Sequence, residues 1–258
     1  ETCTYKKTWD ELSVFERTGW RQMLRHLPWV EEKPSNIMQG KLPDQLKAFY
    51  QFGVYTGKSM VVILDALEKV GKEINVAYGF DSFEGLPKRT NEERDKVIEK
   101  HGEYLWSAGD YSSDELYGVN DSREFLQNVF DKYLSTEVKL IRGFYEDTLN
   151  NETAKKYDLQ PAAYIDIDVD TYESCVEVLD FVFDEGVVSH GTIIGFDDWG
   201  GTPGWEEMNN GVSQAFRECH EKYNFNAELI CQVGNAYPQV QAVYLIKENI
   251  WVKLLFLM

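Results

Sequence analysis

Basic residues are scarce in this 258-residue chain, which has 26 Lys and Arg against 44 Asp and Glu and a formal net charge of −18. Nucleic-acid phosphates bind to a basic face, so this balance argues against a nucleic-acid partner. No apolar run approaches the ~18 residues that a membrane span needs, and the hydrophobic end of the chain, residues 250–258, is too short to cross a bilayer. We therefore expect a cytoplasmic protein that binds neither nucleic acid nor a membrane.

Cysteine is also sparse and lacks any diagnostic spacing. The four cysteines, at positions 3, 175, 219 and 231, form no Cys-x-x-Cys motif, which argues against a disulfide framework and indicates free thiols. The Gly-x-Gly-x-x-Gly motif of dinucleotide-binding folds is missing as well, and this absence weighs against a dinucleotide cofactor.

The patterns that are present alternate between strand and helix. Strands are predicted at 46–53, 74–80, 137–142, 161–168 and 191–196, with helices at 58–71, 172–184 and 205–222. This order predicts an α/β fold whose sheet is mostly parallel with helices on both faces. Residues 227–233 and 240–246 are separated by a turn-rich link and predict a C-terminal antiparallel hairpin.

The whole chain, 1–258, is expected to be a single domain, because one core of this size is common for the length. Residues 1–45 contain an apolar pattern of helical spacing and predict an N-terminal helical arm. Residues 88–120 are polar and aromatic with little periodicity, and an insertion of this kind is typical of a substrate lid.

Three aspartates at every second position form the most informative motif. Asp166, Asp168 and Asp170 alternate with apolar residues in Tyr164-Ile-Asp-Ile-Asp-Val-Asp-Thr-Tyr172, and the pair Asp197-Asp198 follows. A strand alternates its faces, so Asp166 and Asp168, and Asp170 if the strand reaches it, share one side and repel one another. Ionised carboxylates in an apolar setting require compensation by protons or a cation. A divalent metal is the simplest compensation, and ligation by oxygen alone favours a hard cation over zinc. Alternatively, Asp168 and Asp170 cap the helix that begins near residue 171.

A glycine turn follows the first predicted strand. Gly53-Val-Tyr-Thr-Gly57-Lys-Ser59 lies where the strand meets a helix, and glycines there allow a ligand to approach the backbone. The spacing does not fit a phosphate-binding P-loop, because only three residues separate Gly53 from the triplet Gly57-Lys-Ser59, whereas the P-loop has four between its first glycine and this triplet. Asp81 ends the next strand, where an acidic residue can accept the ribose hydroxyls of a nucleoside. The two features together predict a nucleoside site.

Five segments, in this order along the chain, resemble the macrocin O-methyltransferase family: Gly53-Val-Tyr-Thr-Gly57-Lys-Ser59, Asp81-Ser-Phe-Glu-Gly-Leu-Pro87, Gly143-Phe-Tyr-Glu-Asp-Thr-Leu149, Asp168-Val-Asp-Thr-Tyr-Glu-Ser174 and Asp197-Asp198. The resemblance covers most of residues 46–216. It implies a Rossmann-like class I methyltransferase fold with a mostly parallel seven-stranded sheet.

The resemblance also implies the chemistry. The methyl donor would be S-adenosylmethionine, the metal Mg²⁺, and the acceptor a small molecule with a hydroxyl group on a sugar of a natural product; a homodimer is expected. By position, Asp168, Asp197 and Asp198 would be the metal ligands and Asp170 the general base. The residues expected to bind the donor are Gly53, Tyr55, Gly57, Ser59, Asp81, Ser82, Gly143 and Tyr145.

The chain departs from the family pattern at three positions. Gln51 replaces the usual glutamate before the first glycine, Lys58 replaces the second glycine of a pair, and Asp166 is an additional carboxylate. Two alternatives remain from the residues themselves: a glycosyltransferase with an Asp-x-Asp metal site, and a cation-binding domain that retains the fold without turnover.

Overall fold

The computed structural model describes residues 43–69, 71–88, 108–197, 199, 211–233 and 241–249. Most of the predicted N-terminal arm, the greater part of the predicted lid and the C-terminal segment 250–258 therefore lie outside the described residues. None of the helices within these ranges is long and apolar enough to span a bilayer.

One mixed sheet of seven strands forms the centre of the fold. Its strands are β1 Ala48–Phe52, β2 Val76–Asp81, β3 Glu137–Arg142, β4 Ala162–Ile167, β5 Ile193–Phe196, β6 Phe225–Val233 and β7 Gln241–Asn249. They lie in the order β3-β2-β1-β4-β5-β7-β6. The first five are parallel, whereas β7 runs antiparallel to β5 and pairs with β6 as a hairpin. The predicted mostly parallel sheet with a C-terminal antiparallel hairpin is confirmed.

Helices connect these strands. They are α1 Lys58–Lys69, α2 Ser113–Tyr117, α3 Ser122–Tyr133, α4 Tyr145–Thr148, α5 Asn151–Tyr157, α6 Tyr172–Asp184 and α7 Gly211–Tyr223. The predictions of α1, α6 and the later part of α7 agree with these bounds within two residues. The helices α2 to α5 were not predicted. Three of them, α2, α4 and α5, have seven residues or fewer and contain too few turns to show a helical period.

The central strands are apolar on both faces because helices cover both sides of the sheet. Every residue of β1 is buried. On one face, Tyr50 stacks on Tyr78 with ring centroids 4.7 Å apart, and Phe52 stacks on Phe80 at 5.0 Å. Phe49 points into a second buried cluster on the other face. The strand is thereby held between two apolar layers.

The start of α6 is capped by Thr171, whose hydroxyl accepts a hydrogen bond from the backbone N–H of Ser174 at 3.3 Å. The alternative in which Asp168 and Asp170 cap this helix is therefore wrong. Because a threonine occupies the N-cap position, the two carboxylates are not needed for capping.

The strand order reverses between β1 and β4, which places the first strand of the chain beside the fourth. In open α/β sheets, the carboxyl ends of the strands at such a switch point diverge and leave a crevice. The fold thus determines where a ligand site forms.

Candidate active site

A cavity of about 590 Å³ lies at the carboxyl ends of β1 to β5. Its volume is within the range of roughly 300–1,000 Å³ that is typical of small-molecule sites. It is lined by Gly53, Tyr55, Asp81, Ser82, Gly85, Leu86, Pro87, Lys88, Tyr111, Gly143, Phe144, Tyr145, Glu146, Asp168, Val169, Asp170, Ser174, Glu177 and Asp197. Loops that follow five different strands therefore form a single site.

The first loop residues after four of these strands are aligned by backbone hydrogen bonds. The N–H groups of Gly143, Gly53, Asp168 and Asp197 each donate to the neighbouring strand, at 3.0 Å in every case. These bonds extend the ladder by one residue beyond each strand. Adjacent strands lie about 4.8 Å apart, so the row from β3 to β5 is about 19 Å wide. The predicted nucleoside residues lie near its β2 side and the aspartates near its β4 and β5 side.

The glycine turn after β1 makes a close contact with the backbone of β4. Gly53 has a φ of +86°, and a Cβ atom at this position would lie 1.9 Å from the carbonyl oxygen of Asp168. Only glycine avoids both the left-handed strain and this overlap. The glycine turn therefore lies directly against the backbone of Asp168.

Gly57 and Ser59 lie at the other end of the same turn and do not line the cavity. A Cβ atom at Gly57 would lie 2.5 Å from the ring of Phe130 on α3, and the Gly57 N–H closes the turn by donating to the Val54 carbonyl at 2.8 Å. The hydroxyl of Ser59 accepts from the Gln51 side chain at 2.5 Å. Both residues therefore support the turn on the side that faces away from the cavity.

Asp81, at the end of β2, binds the backbone of this turn. Its Oδ2 accepts hydrogen bonds from the N–H groups of Val54 and Tyr55, at 2.7 and 2.8 Å, and its Oδ1 accepts from Phe83 at 2.6 Å. Burial raises the pKa of the Asp81 carboxyl, while these three N–H groups and Arg142 act in the opposite direction. An ionised carboxylate has about four acceptor positions, so Oδ1 retains room for one ligand hydroxyl.

Asp166 does not join the other aspartates in the lining of the cavity. It lies opposite Gln51 in the β1–β4 pairing, and the Gln51 Nε2 donates to its Oδ2 at 3.1 Å. The same Nε2 donates to Ser59, so one amide links β1, β4 and the first turn of α1. Gln51 is fully buried, and its Oε1 has no hydrogen-bond partner among the residues that the structure describes. The two departures from the family pattern at 51 and 166 are thus partners of each other.

The loop after β2 is fixed by Arg142 at the end of β3. The guanidinium binds Asp114 at 2.7 Å, Glu84 at 3.0 Å and Asp121 at 3.3 Å. The hydrogen bond to Asp114 is the main cause that raises the pKa of Arg142. Glu84 belongs to the loop that lines the cavity, whereas Asp114 and Asp121 belong to the start of α2 and of α3. The arginine therefore joins the cavity wall to two helices.

Asp168, Asp170 and Asp197 all line the cavity, on the ends of the neighbouring strands β4 and β5. Asp170 has a φ of +58°, a strained conformation for a residue with a side chain. Asp198, the third predicted ligand, lies outside the described residues. Among the residues that the structure describes, no three His, Cys, Asp or Glu side chains are grouped closely enough to hold a metal ion.

Tyr145 lies between the two sides of the cavity. Its half-buried ring packs edge-on against Phe52 at 6.3 Å. Burial raises the pKa of its phenol well above the usual value, and the carboxylates of Asp81, Asp168 and Asp170 raise it further. The hydroxyl stays protonated and can only donate its proton in a hydrogen bond to an acceptor atom or accept through its oxygen.

The lining is strongly acidic. Six carboxylates and one lysine, Lys88, line the cavity among the described residues. Burial raises the pKa of Glu177, and repulsion from Glu146 and Glu173 raises it further. Such a field favours ligands that carry positive charge.

Some lining residues were not identified from the sequence. Ser174 and Glu177 are three residues apart, which places them on one face of α6, but α6 was read only as a connecting helix. Tyr111 belongs to the predicted lid, and its aromatic side chain was the feature of the sequence that could have identified it as a lining residue. Trp199 directly follows the Asp197-Asp198 pair in the sequence, but it is buried and its ring packs on Phe196 at 5.2 Å and on Tyr244 at 5.1 Å.

Two comparisons place this geometry among known proteins. The family model for macrocin O-methyltransferase matches residues 24–230, although no curated protein sequence matches the chain. The solved structure of the O-methyltransferase NovP is 16% identical over 85% of this chain and 78% of its own, with a TM-score of 0.53. That of the calicheamicin methyltransferase CalS11 is 16% identical over 90% and 80%, with a TM-score of 0.56. At these identities the two structures show a common class I methyltransferase fold. The family match covers most of the chain, including all five strands that border the cavity, and the chain therefore belongs to the macrocin O-methyltransferase family.

Proposed function

We propose that this enzyme transfers the methyl group of S-adenosylmethionine to a hydroxyl of a sugar or a glycosylated natural product, in a reaction that depends on Mg²⁺. The observation that carries the proposal is the single cavity that joins Asp81 on one side to Asp168, Asp170 and Asp197 on the other. S-adenosylmethionine as donor follows from the family. The acceptor class is supported by the name of the family and by the similarity to CalS11, which is described as a calicheamicin methyltransferase.

The donor fits the β2 side and the centre of the row. Asp81 has an acceptor position left for a ribose hydroxyl, and Ser82, Gly143 and Tyr145 line the space beside it. Gly53 and Tyr55 border the path from there to the aspartates. S-adenosylmethionine carries an activated methyl group on a positively charged sulfonium, which suits an acidic lining. Gly57 and Ser59 contribute indirectly, because they fix the turn that carries Tyr55.

Mg²⁺ would be held by Asp168, Asp197 and Asp198. The first two fit by position and chemistry, since they begin the loops after two paired strands and offer only oxygen ligands. Bound Mg²⁺ lowers the pKa of a hydroxyl group near it.

Asp170 takes the role of general base in this proposal. A sugar hydroxyl is barely ionised at neutral pH, so its proton must leave as the oxygen attacks the methyl carbon. Asp170 lines the same part of the cavity as Asp168 and does not serve as the cap of α6. Its carboxylate oxygen accepts the hydroxyl proton while the acceptor oxygen forms a bond to the methyl carbon; the bond between that carbon and the sulfonium sulfur breaks, and S-adenosylhomocysteine leaves.

Donor binding is the first test. Calorimetric titration of the purified protein with S-adenosylhomocysteine should show one site in the presence and in the absence of Mg²⁺. Absence of binding under both conditions would refute the methyltransferase proposal and leave a glycosyltransferase or a non-catalytic domain.

Metal dependence and acceptor class are tested next. Methyl transfer from labelled S-adenosylmethionine to a panel of glycosides and small catechols should require Mg²⁺ and stop with EDTA. Asp197→Asn should reduce turnover, whereas Glu152→Gln, which changes an exposed carboxylate on α5, should leave it unchanged. Full activity in EDTA would refute the Mg²⁺ assignment.

A further inference from the structure

Tyr111 is exposed at the cavity in a strained conformation. Its side chain is 49% exposed, and in the part of the chain that the structure describes only Leu229 is a comparably exposed large apolar residue. Its φ is +62°, in the left-handed region. That conformation costs a residue with a side chain about 1–2 kcal/mol. An exposed ring held in a strained backbone calls for a reason other than packing of the core.

The segment that carries Tyr111 is held firmly against the loop after β2. The Leu86 N–H donates to the Asp110 carbonyl at 2.9 Å, and the Gly109 N–H donates to the Leu86 carbonyl at 3.0 Å. Gly85 lies so close to this segment that a Cβ atom there would come within 2.4 Å of the Gly109 oxygen. The two loops form a paired unit, so the position of Tyr111 follows that of the cavity wall.

A second aromatic residue orients the ring. Tyr111 packs edge-on against Tyr55, with centroids 5.7 Å apart and an interplanar angle of 84°. Tyr55 is also in the left-handed region, with a φ of 45°, and its N–H donates to Asp81. Both tyrosines line the cavity. Together they form an aromatic wall on the side of the cavity that Asp81 occupies.

We propose that Tyr111 is a donor-binding residue whose ring stacks on the adenine of the methyl donor. This inference rests on the proposed function and adds to it a contact from the insertion after β2. Tyr111 is tied to the β2 loop and to the turn that Asp81 holds, whereas the aspartates proposed for methyl transfer lie at β4 and β5. Its ring is therefore next to the nucleoside and away from the reacting hydroxyl. Purine bases stack well on aromatic side chains, which accounts for a large apolar ring left exposed here.

The test compares donor binding by two variants. Tyr111→Asn removes the ring but suits a positive φ, because asparagine adopts the left-handed region readily. Tyr111→Phe keeps the ring. Removal of one base–aromatic stack weakens binding by about 5- to 150-fold, and for a half-exposed ring we expect about 10-fold. Tyr111→Asn should weaken both S-adenosylhomocysteine and adenosine by this factor, and Tyr111→Phe should restore wild-type affinity.

Two controls separate binding from structure. Thermal unfolding of Tyr111→Asn should occur at or above the wild-type temperature, because asparagine relieves part of the left-handed strain, and this result excludes general damage. Leu229→Ala removes the other exposed apolar side chain, on β6, and should leave the affinity for S-adenosylhomocysteine unchanged.

Three outcomes are informative. Unchanged affinity of Tyr111→Asn for both probes would overturn the inference and leave the proposed function intact. A raised KM for the acceptor with unchanged donor affinity would overturn it as well and assign the ring to the acceptor. Failure of the wild-type protein to bind S-adenosylhomocysteine would refute the proposed function itself.

Discussion

The contact between Gly53 and the backbone of β4 allows a sharp comparison of two glycine substitutions. Gly53 and Gly71 have similar φ values, +86° and +77°, but their surroundings differ. A Cβ atom at Gly53 would lie 1.9 Å from the Asp168 carbonyl oxygen, while none of the described atoms lies within 4 Å of one at Gly71. Alanine at either position brings the same left-handed strain, so the difference between the two variants isolates the contact.

The magnitudes follow from these two terms. A left-handed alanine costs about 1–2 kcal/mol, and about 0.5–1 kcal/mol of this is offset because glycine loses more freedom on folding. Gly71→Ala should thus lower the free energy of unfolding by about 1 kcal/mol. Gly53→Ala must also separate the turn from β4 by roughly an ångström, which adds about 1–3 kcal/mol of overpacking. It further strains the hydrogen bond from the Asp168 N–H to the Phe52 carbonyl, worth about 1 kcal/mol. Its total is about 3–5 kcal/mol.

The assay is urea unfolding of both variants followed by fluorescence, with a thermal scan as a second measurement. For a chain of this length, about 2–4 kcal/mol between the variants corresponds to a melting temperature roughly 10 °C lower for Gly53→Ala. Gly53→Ala should also lose affinity for S-adenosylhomocysteine, because the turn moves away from the cavity, while Gly71→Ala should bind normally. Equal losses of stability in the two variants would show that the contact is not made and would refute the reasoning.

Three further predictions concern side chains. Asp170→Asn should lower the turnover number at least ~100-fold, the usual minimum for loss of a general base, and change the affinity for S-adenosylhomocysteine little; retained turnover would remove Asp170 from the base role. Gln51→Glu would bury a second carboxylate beside Asp166 and should destabilise the protein by about 3 kcal/mol at neutral pH. Adding Asp166→Asn should recover most of that loss, and failure to recover it would contradict the Gln51–Asp166 contact. Burial would raise the pKa of Asp114, but its bonds to Arg142 and Ser122 lower it overall. The stabilisation by Asp114 is therefore complete above the unfolded pKa near ~4 and is lost as the pH falls below it. Asp114→Asn should be less stable than the wild type by about 1–2 kcal/mol at pH 7, with the gap in urea unfolding narrowing below about pH 4; a gap that is constant with pH would refute this cause.

The predictions made from the sequence succeeded where a local period was long and regular. Strand β3 was predicted at its observed bounds, and β4 within one residue at each end, because apolar residues alternate with polar ones there or run without interruption. The short helices α2, α4 and α5 were not predicted, since they contain between four and seven residues, which is too few to show a helical period.

The residues of the candidate site were also predicted only in part. Of the predicted donor-binding residues, six line the cavity, and Gly57 and Ser59 lie behind the turn. All eight are close in sequence to a strand end, and strand ends of a parallel sheet meet at one edge, so their approximate gathering is readable from the chain. Whether a side chain points into the cavity or behind it depends on a neighbour such as Phe130, which no local pattern reveals.

The sequence by itself determined the alternation of strands and helices, the five segments of the family and the presence of several aspartates at the end of β4. Each of these depends on residues within about ten positions of one another or on a recognisable motif. The tertiary structure decided which of these residues line the cavity and which contact other parts of the fold. It paired Asp166 with Gln51, 115 positions away, and left Asp168, Asp170 and Asp197 to the cavity. It also brought Tyr111 onto Tyr55 through an insertion whose position depends on backbone bonds to the β2 loop. Contacts between distant segments depend on how the chain closes on itself, and only the folded molecule specifies them.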